Sequence, residues 1–369
     1  VFLGIVAMED PPREEVRGAL KTCMEAGIKV KMITGDNKET AEETAKEIGL
    51  KQETMLGEEI DKLTDDELSK AVNKATIFAR VKPEHKLRIV KALKANQEIV
   101  AMTGDGVNDA PALKEAHVGI AMGKNGTDVS RESADLILKD DNFATIVTAI
   151  KEGRTIFNNL QKFITYQLSC NYAELFIIFF GILIGLPLPL LALQILFMNL
   201  VTDDLPAITL GQQPSSPDIM KAKPRKKTGI LNMQLIKILA IAGTTMGIGT
   251  LATFYISLNI LNQDLATART TALLTLILFE IANAYNFRSF RHQVHKSQLF
   301  SNKYLVYASI ASIIATLAII YTPLNTVFET TSKINTLNWA MAIIACSAII
   351  ILFDALKAIK GNLANPTTQ

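Results

Sequence analysis

The chain has 369 residues, 49% of them hydrophobic, with a formal net charge of +2. It is long for a single domain, and a charge this close to zero gives no case for a nucleic-acid partner. Its three cysteines, Cys23, Cys170 and Cys346, form no C-x-x-C pair, which argues against a disulfide framework or a zinc site and leaves packing roles in a reduced or membrane setting.

Residue 1 is valine, and "VFLGIVAM" reads as a buried strand with no signal peptide before it, so the chain is expected to begin inside a domain. Through residue 149, short apolar runs alternate with amphipathic patterns. The runs predict strands over residues 2–7, 30–33, 76–79, 99–102, 118–121 and 136–138; helical spacing predicts helices over 13–25, 38–48, 83–95 and 110–115. That alternation predicts an α/β fold, a parallel sheet covered by helices on both faces, with ligands at the carboxyl ends of strands. Two of those ends carry the same tripeptide, in "MITGDN" (residues 32–37) and "MTGDGVND" (residues 102–109).

A single T-G-D reads equally well as a strand-to-helix turn, with Thr34 and Asp36 or Asp105 as caps and Gly35 or Gly104 making the bend. The second copy adds Asn108 and Asp109 in the same tight loop, and like charges crowded there repel unless a cation or a phosphate contact compensates. Mg2+ answers that need, because it favours oxygen ligands and holds carboxylates and a phosphate together. Lys86, in "RVKPEHK", opens the helix after the third of these strands; it reads either as a solvated helix lysine or as a charge facing a transferring phosphoryl group.

The segments "DPPREEV", "MITGDNKETA", "FARVKPEHK" and "MTGDGVNDAPALKEAHVGIAMG" resemble the phosphorylation domain of P-type ATPases, a haloacid-dehalogenase-like fold with a Rossmann-type parallel sheet. The resemblance implies Asp105 as the Mg2+ ligand, Asn108 and Asp109 holding the phosphoryl site, Thr34 and Gly35 contacting phosphate, and Lys86 stabilising it. Arg80 and Asp36 would lie near the nucleotide, with ATP and Mg2+ as cofactors. These pumps form an aspartyl phosphate on D-K-T-G-T, which this sequence lacks. Asp10 in "EDPPREEV" reads as a helix cap ahead of prolines, and "DKLTDDE" (residues 61–67) sits in a polar helical region. The resemblance therefore implies a partial phosphorylation domain over residues 1–150. An amino-terminal half carrying the actuator and nucleotide-binding domains and the first four helices would be a partner, and the chain alone is expected to be inactive.

Beyond this region, apolar stretches cover residues 163–186, 188–210, 235–258, 270–285, 304–321 and 337–356. At about 20 residues per bilayer crossing these make an all-α bundle of six transmembrane helices, the fourth being short. "KAKPRKK" (residues 221–227), "RSFRHQVHK" (residues 288–296), Lys357 and Lys360 fall on one side of the bilayer, opposite "GLPLP", "NQDLATAR" and "ETTSKIN". The basic side is cytoplasmic by the positive-inside rule, which puts the soluble domain and the carboxyl terminus there together.

Inside the spans sit Asn171 and Glu174, then Asn199, Thr202, Asp203 and Asp204, then Glu280 and Asn283. An acid at the bilayer centre costs about 2.5–3.5 kcal/mol on the insertion scale, so either a structural polar network or a function must compensate. Asn171 with Glu174 is i, i+3 and Asn199 with Asp203 is i, i+4, spacings that share a helix face, and Pro206 should free backbone carbonyls nearby. Acids with no cation well inside the spans make a cation site, and carboxylate, amide and hydroxyl oxygens suit Ca2+, which takes six to eight oxygens. "NYAEL", "NLVTDDLPAITLG" and "FEIANAYN" resemble helices five, six and eight of the sarco/endoplasmic reticulum type calcium pumps, which implies Asn171, Glu174, Asn199, Thr202, Asp203 and Glu280 as ligands of transported Ca2+. Asp204 stands where those pumps carry glycine.

Residues 140–175 contain no proline and space apolar residues helically, which predicts one stalk helix joining a phosphorylation domain (1–150) to a membrane domain (151–369); Gly153 is its weak point, and two helices joined there are the alternative. The whole reads as the carboxyl-terminal half of an ATP-driven cation pump moving Ca2+ out of the cytosol. A Na+ or K+ pump and a membrane-anchored phosphatase or regulatory half are the alternatives.

Overall fold

A computed structural model describes residues 12–51, 53–225, 229–296, 299–361 and 363. The strand expected at residues 2–7, Asp10, Lys226 and Lys227 lie outside the described residues. The chain forms two compact units, Val1–Gly153 with Pro217–Arg225, and Arg154–Ser216 with Lys226–Gln369.

In the first unit the order is α1 (Glu14–Glu25), β1 (Met32–Ile33), α2 (Lys38–Ile48), β2 (Thr54–Leu56), α3 (Gly57–Lys62), α4 (Asp65–Ala71), β3 (Ile77–Ala79), α5 (Pro83–Ala95), β4 (Ala101–Gly104), α6 (Ala110–Glu115), β5 (Val118–Met122), α7 (Asp128–Glu132) and β6 (Leu136–Leu138). Local chemistry sets many of these ends. The Asn37 side chain accepts the Thr40 amide to start α2, and Gly49 at φ 82 closes it in the left-handed region. Proline begins α5, where its missing N–H has no helical partner in any case.

The strands pair in parallel, in the orders β1-β3-β2 and β4-β5-β6 among the described residues. Ile77, Phe78 and Ala79 of the central β3 are all fully buried, as expected of a parallel strand covered on both faces. Ile33 of β1 packs with Val90 and Leu93 of α5, Met102 of β4 and Leu113 of α6, so one apolar layer spans both sheets. Sequence periodicity missed β2, α3, α4 and α7, which have three, six, seven and five residues. Each carries at most two large apolar residues, too few to display a period, whereas the equally short β6 is apolar throughout and α6 has a proline in its first turn.

Just after β5, the Asp141 carboxylate accepts the backbone N–H groups of Gly123 (2.6 Å), Lys124 (3.0 Å) and Asn125 (2.8 Å), while Arg13 donates to its carbonyl at 2.6 Å. Asp141 itself stands at φ 54, a conformation Asp and Asn tolerate best. The Lys124 amide, followed by those of Asn125 and Gly123, holds the Asp141 carboxyl below its ordinary range. A carboxyl with a depressed folded pKa contributes stability that is complete above the unfolded value and lost as pH falls through the folded one. Asp141→Asn should therefore lower the thermal midpoint by a constant amount between about pH 7 and about pH 5, and that difference should shrink below about pH 4.

The second unit is helical. Among the described residues, six segments are long and apolar enough to cross a membrane: Phe143–Leu183, Ala192–Gly211, Met233–Ile260, Leu265–Phe287, Lys303–Tyr321 and Thr336–Ile359. They comprise α8 (Phe143–Leu183), α9 (Ala192–Phe197), a π-helical turn (Met198–Asp203), α10 (Asp204–Gly211), α11 (Met233–Tyr255) with a second π turn (Ile256–Ile260), α12 (Leu265–Phe287), α13 (Lys303–Tyr321) and α14 (Thr336–Lys360). The helix α8 passes through Gly153 without a break.

The fourth span is not short. It has 23 residues and begins at Leu265 in a turn capped by Asp264, where Thr267 and Arg269 hide the start of the helix from a hydropathy reading. Thr270, Thr271 and Thr275 donate their hydroxyls to the carbonyls of Ala266, Thr267 and Thr271, so each polar group is satisfied within its own helix. This α12 is the most buried of the spans. Elsewhere α11 approaches α8 closely at Gly243, where an added Cβ would stand 2.8 Å from the Ser169 carbonyl oxygen and 2.4 Å from the Tyr172 ring. Gly243→Val should destabilise the bundle by about 1–3 kcal/mol through overpacking, read as a lower unfolding midpoint in detergent micelles.

Candidate cation site and phosphate loops

In the soluble unit, the two T-G-D loops leave β1 and β4. Thr34 Oγ1 donates to Asp36 Oδ2 (2.6 Å) and accepts the Asp36 amide (3.1 Å), a turn that fixes both side chains beside the exposed Gly35. The Arg80 amide binds the Asp36 carbonyl at 2.8 Å and the Val81 amide binds that of Thr34 at 3.1 Å, so the end of β3 closes on this loop. Arg80 holds φ 51, a strained value for a non-glycine residue, and its side chain is exposed.

In the second loop Lys86 Nζ meets Asp109 Oδ1 at 2.5 Å, with the two side chains 21% and 8% exposed. Asp109 Oδ2 also accepts the Gly106 amide at 3.3 Å. Gly104 is required by close approach, since a Cβ there would lie 2.5 Å from that of Asp109. The Asp105 carbonyl accepts from the Thr127 amide (2.9 Å) and Ser130 Oγ (3.0 Å), leaving the Asp105 carboxylate exposed next to the exposed Asn108. Those hard oxygens fit a Mg2+ ion, which keeps several waters and needs only one or two carboxylates.

The start of α5, which carries Lys86, is itself anchored. His85 Nδ1 accepts the Lys82 amide at 3.2 Å, so its proton sits on Nε2 and is donated to Asp61 Oδ1 at 2.7 Å. That bond, seconded by Lys82, holds the Asp61 carboxyl below its ordinary range. Replacing Lys86 by Met would strand the buried Asp109 carboxylate without its charged partner; the expected loss is about 1.5–3 kcal/mol, measured by denaturant unfolding of the soluble unit within the full chain.

The membrane unit gathers its acids from three helical segments. Asn199 Nδ2 donates to Glu174 Oε1 and Oε2 at 3.1 and 3.2 Å and to the Ile195 carbonyl at 3.1 Å. Thr202 Oγ1 donates to Glu280 Oε2 at 3.3 Å. Asp203 and Glu280 have no exposed surface, and both Asp203 oxygens and Glu280 Oε1 lack a hydrogen-bond partner among the described residues. The buried carbonyl oxygens of Asn171 and Asn283 lack one too, although Asn283 Nδ2 donates to Ser169 Oγ at 2.9 Å. Asp204 is half-buried. These are oxygen acceptors in excess of donors inside a membrane-spanning bundle, an arrangement that only a cation or protons satisfy.

Two features escaped the sequence. Asn199 and Asp203, four residues apart, serve different partners because Met198–Asp203 winds as a π turn, in which the ordinary helical spacing no longer holds. Cys170, read as a packing residue, instead places its sulfur with carboxylate oxygens of Asp203 and Glu280, all within 4.8 Å of one another. The available signal was its position four residues before Glu174 on the same helix.

A haloacid-dehalogenase-like soluble unit together with buried acids in a six-span bundle is the architecture of an ion pump, and comparison with known proteins agrees. Residues 2–117 match the family model of haloacid dehalogenase-like hydrolases, and residues 187–359 match that of the cation transporting ATPase carboxyl terminus. The chain belongs to the P-type cation-transporting ATPases and is a multi-pass membrane protein. Within that family it is similar to calcium-transporting ATPases. One from Bacillus subtilis is 46% identical over 353 residues, covering 94% of this chain and 39% of the relative. A human calcium-transporting ATPase type 2C member 1 is 40% identical over 98% of this chain and 40% of the relative. A calcium-transporting ATPase 1 of Saccharomyces cerevisiae is 38% identical over 96% and 38%. The chain thus spans about two fifths of the length of the curated relatives it matches.

Proposed function

We propose that the chain supplies the ion-translocating and phosphate-binding part of a calcium pump that expels Ca2+ from the cytosol. The observation that carries this reading is the pair Asp203 and Glu280, fully buried with unpartnered oxygens. With Glu174, Asn171, Asn199 and Thr202 they supply the many hard oxygens that calcium takes, whereas a monovalent ion would need less charge. Asp204, at the edge of the group, adds a carboxylate that tunes charge at the site.

In the soluble unit Thr34 and Gly35 would contact phosphate, Lys86 and Asp109 would hold the transferring group with Asn108, and Asp36 and Arg80 would lie by the nucleotide. Mg2+ on Asp105 would neutralise phosphate charge. Lys86, already clamped to Asp109, is pre-positioned for charge that develops during transfer. The phosphorylated aspartate itself would come from a D-K-T-G-T segment outside this sequence, and an amino-terminal half with actuator and nucleotide-binding domains would be the partner.

Charge supports a cytoplasmic placement of the first unit. The basic stretch Lys221–Arg225 belongs to that unit, where Gly27 approaches Pro224 within Cβ contact distance, and basic loops favour the cytoplasmic face.

Radiolabelled calcium binding to the chain in detergent micelles should fall by at least about tenfold in affinity for Glu174→Gln, Asp203→Asn and Glu280→Gln, since each removes a charged ligand. Co-expression with a segment bearing D-K-T-G-T should yield an acid-stable phosphoenzyme that responds to micromolar calcium. Response to Na+ or K+ alone would move the assignment to a monovalent pump. Phosphoester hydrolysis by this chain without such a segment would favour a phosphatase.

A further inference from the structure

The cluster in the membrane unit contains a donor of a different chemical kind from the rest. Cys170 is fully buried, and its sulfur and one oxygen each from Asp203 and Glu280 lie within 4.8 Å of one another. The two carboxylates are themselves fully buried and carry three unpartnered oxygens, so the sulfur does not stand alone: it borders acceptors that already lack a donor. A tetrahedral zinc holds sulfur at about 2.3 Å and carboxylate oxygen at about 2.0–2.2 Å, which at the tetrahedral angle sets donors about 3.4–3.7 Å apart. The three donors would have to close by up to about 1 Å to share one ion, which brings together the groups that now lack donors.

We infer that Cys170, Asp203 and Glu280 form a mixed sulfur and oxygen site that takes a thiophilic divalent cation, Zn2+ or Cd2+, within the acid cluster. This deepens the calcium reading and rests on it for the idea that the cluster receives ions from water. Calcium gains little from sulfur, because hard cations choose oxygen, whereas thiolate selects softer metals. Cys170 would therefore set which ions compete with calcium. On binding, the Cys170 S–H bond breaks, its electron pair forms the metal–sulfur bond, and its proton passes to solvent; nothing is oxidised or reduced.

The test uses the full 369-residue chain in detergent micelles with Cys23→Ser and Cys346→Ser, so that Cys170 is its one remaining thiol. Titration with Cd2+ should produce the ultraviolet sulfur-to-cadmium charge-transfer absorption, saturating near one ion per chain. Cys170→Ser should abolish it. Asp203→Asn and Glu280→Gln should each weaken it by about tenfold or more, as expected for loss of a charged ligand. Circular dichroism and gel-filtration profiles identify variants that fold. The chemical shift of NMR-active cadmium bound to the single-cysteine chain, which moves downfield with a sulfur ligand, gives a second reading that needs no substitution in the cluster.

Absence of both the absorption and the sulfur-shifted cadmium signal overturns the inference, as does absorption that ignores the carboxyl variants. Parallel calcium titrations separate the two readings. Calcium binding without cadmium–sulfur absorption removes the role of Cys170 and leaves the calcium assignment standing. Cadmium bound through Cys170 in a chain that takes no calcium leaves the mixed site standing and removes that assignment.

Discussion

The membrane unit is organised around carboxylates taken out of water without enough hydrogen-bond donors. Asp203 and Glu280 are fully buried, and three of their four oxygens face no partner among the described residues. Even in real proteins each buried ion costs several kcal/mol before any compensation, so this cluster is retained against stability. Surrounding structure has to hold it in place. Around it, Tyr166, Ala173, Met198, Ala207, Ile277 and Ala284 form part of one continuous apolar core that leaves the acids nowhere else to turn.

Local backbone geometry serves the same end. The π turn at Met198–Asp203 lies between two ordinary helical segments and a few residues before Pro206, which has no amide hydrogen to donate. Wider winding there changes the angular order of the side chains, sending Asn199 toward Glu174 and Asp203 toward Glu280. Polar groups with no task at the acids are satisfied locally instead. Asn338 Nδ2 binds Gln263 and Thr271, and Thr253 binds Thr275, which keeps the buried ends and faces of α11, α12 and α14 free of competing charge.

The soluble unit solves a different problem, that of fixing exposed charges at the ends of short strands. Turn chemistry does most of it. Thr34 binds Asp36 within one loop, Gly104 admits Asp109 close to the strand end, and the Asp105 carbonyl is tied to Thr127 and Ser130 so that its side chain is presented outward. The His85–Asp61 bond secures the first turn of α5, and with it Lys86. Rigid backbone around mobile charge is the condition for binding phosphate without reorganisation.

Much of this was readable from residues alone. Helices α2, α5 and α6 begin and end where capping residues, prolines and periodicity place them, and β6 spans the predicted residues, because those signals are local. The identities of the acids in the spans, and the repeated T-G-D loops, were equally plain. The full length of α12 was not, since its start, capped by Asp264, carries Thr267 and Arg269 and looks polar in sequence. Nor were the pairings Asn199–Glu174, Lys86–Asp109 and Thr202–Glu280, or the sulfur of Cys170 beside two carboxylates. Sequence determined which groups are available and on which elements they ride; only the tertiary structure decided which of them meet. Contacts between residues up to 110 positions apart, Cys170 and Glu280 among them, depend on how helices pack and wind, and no period within a single helix encodes that.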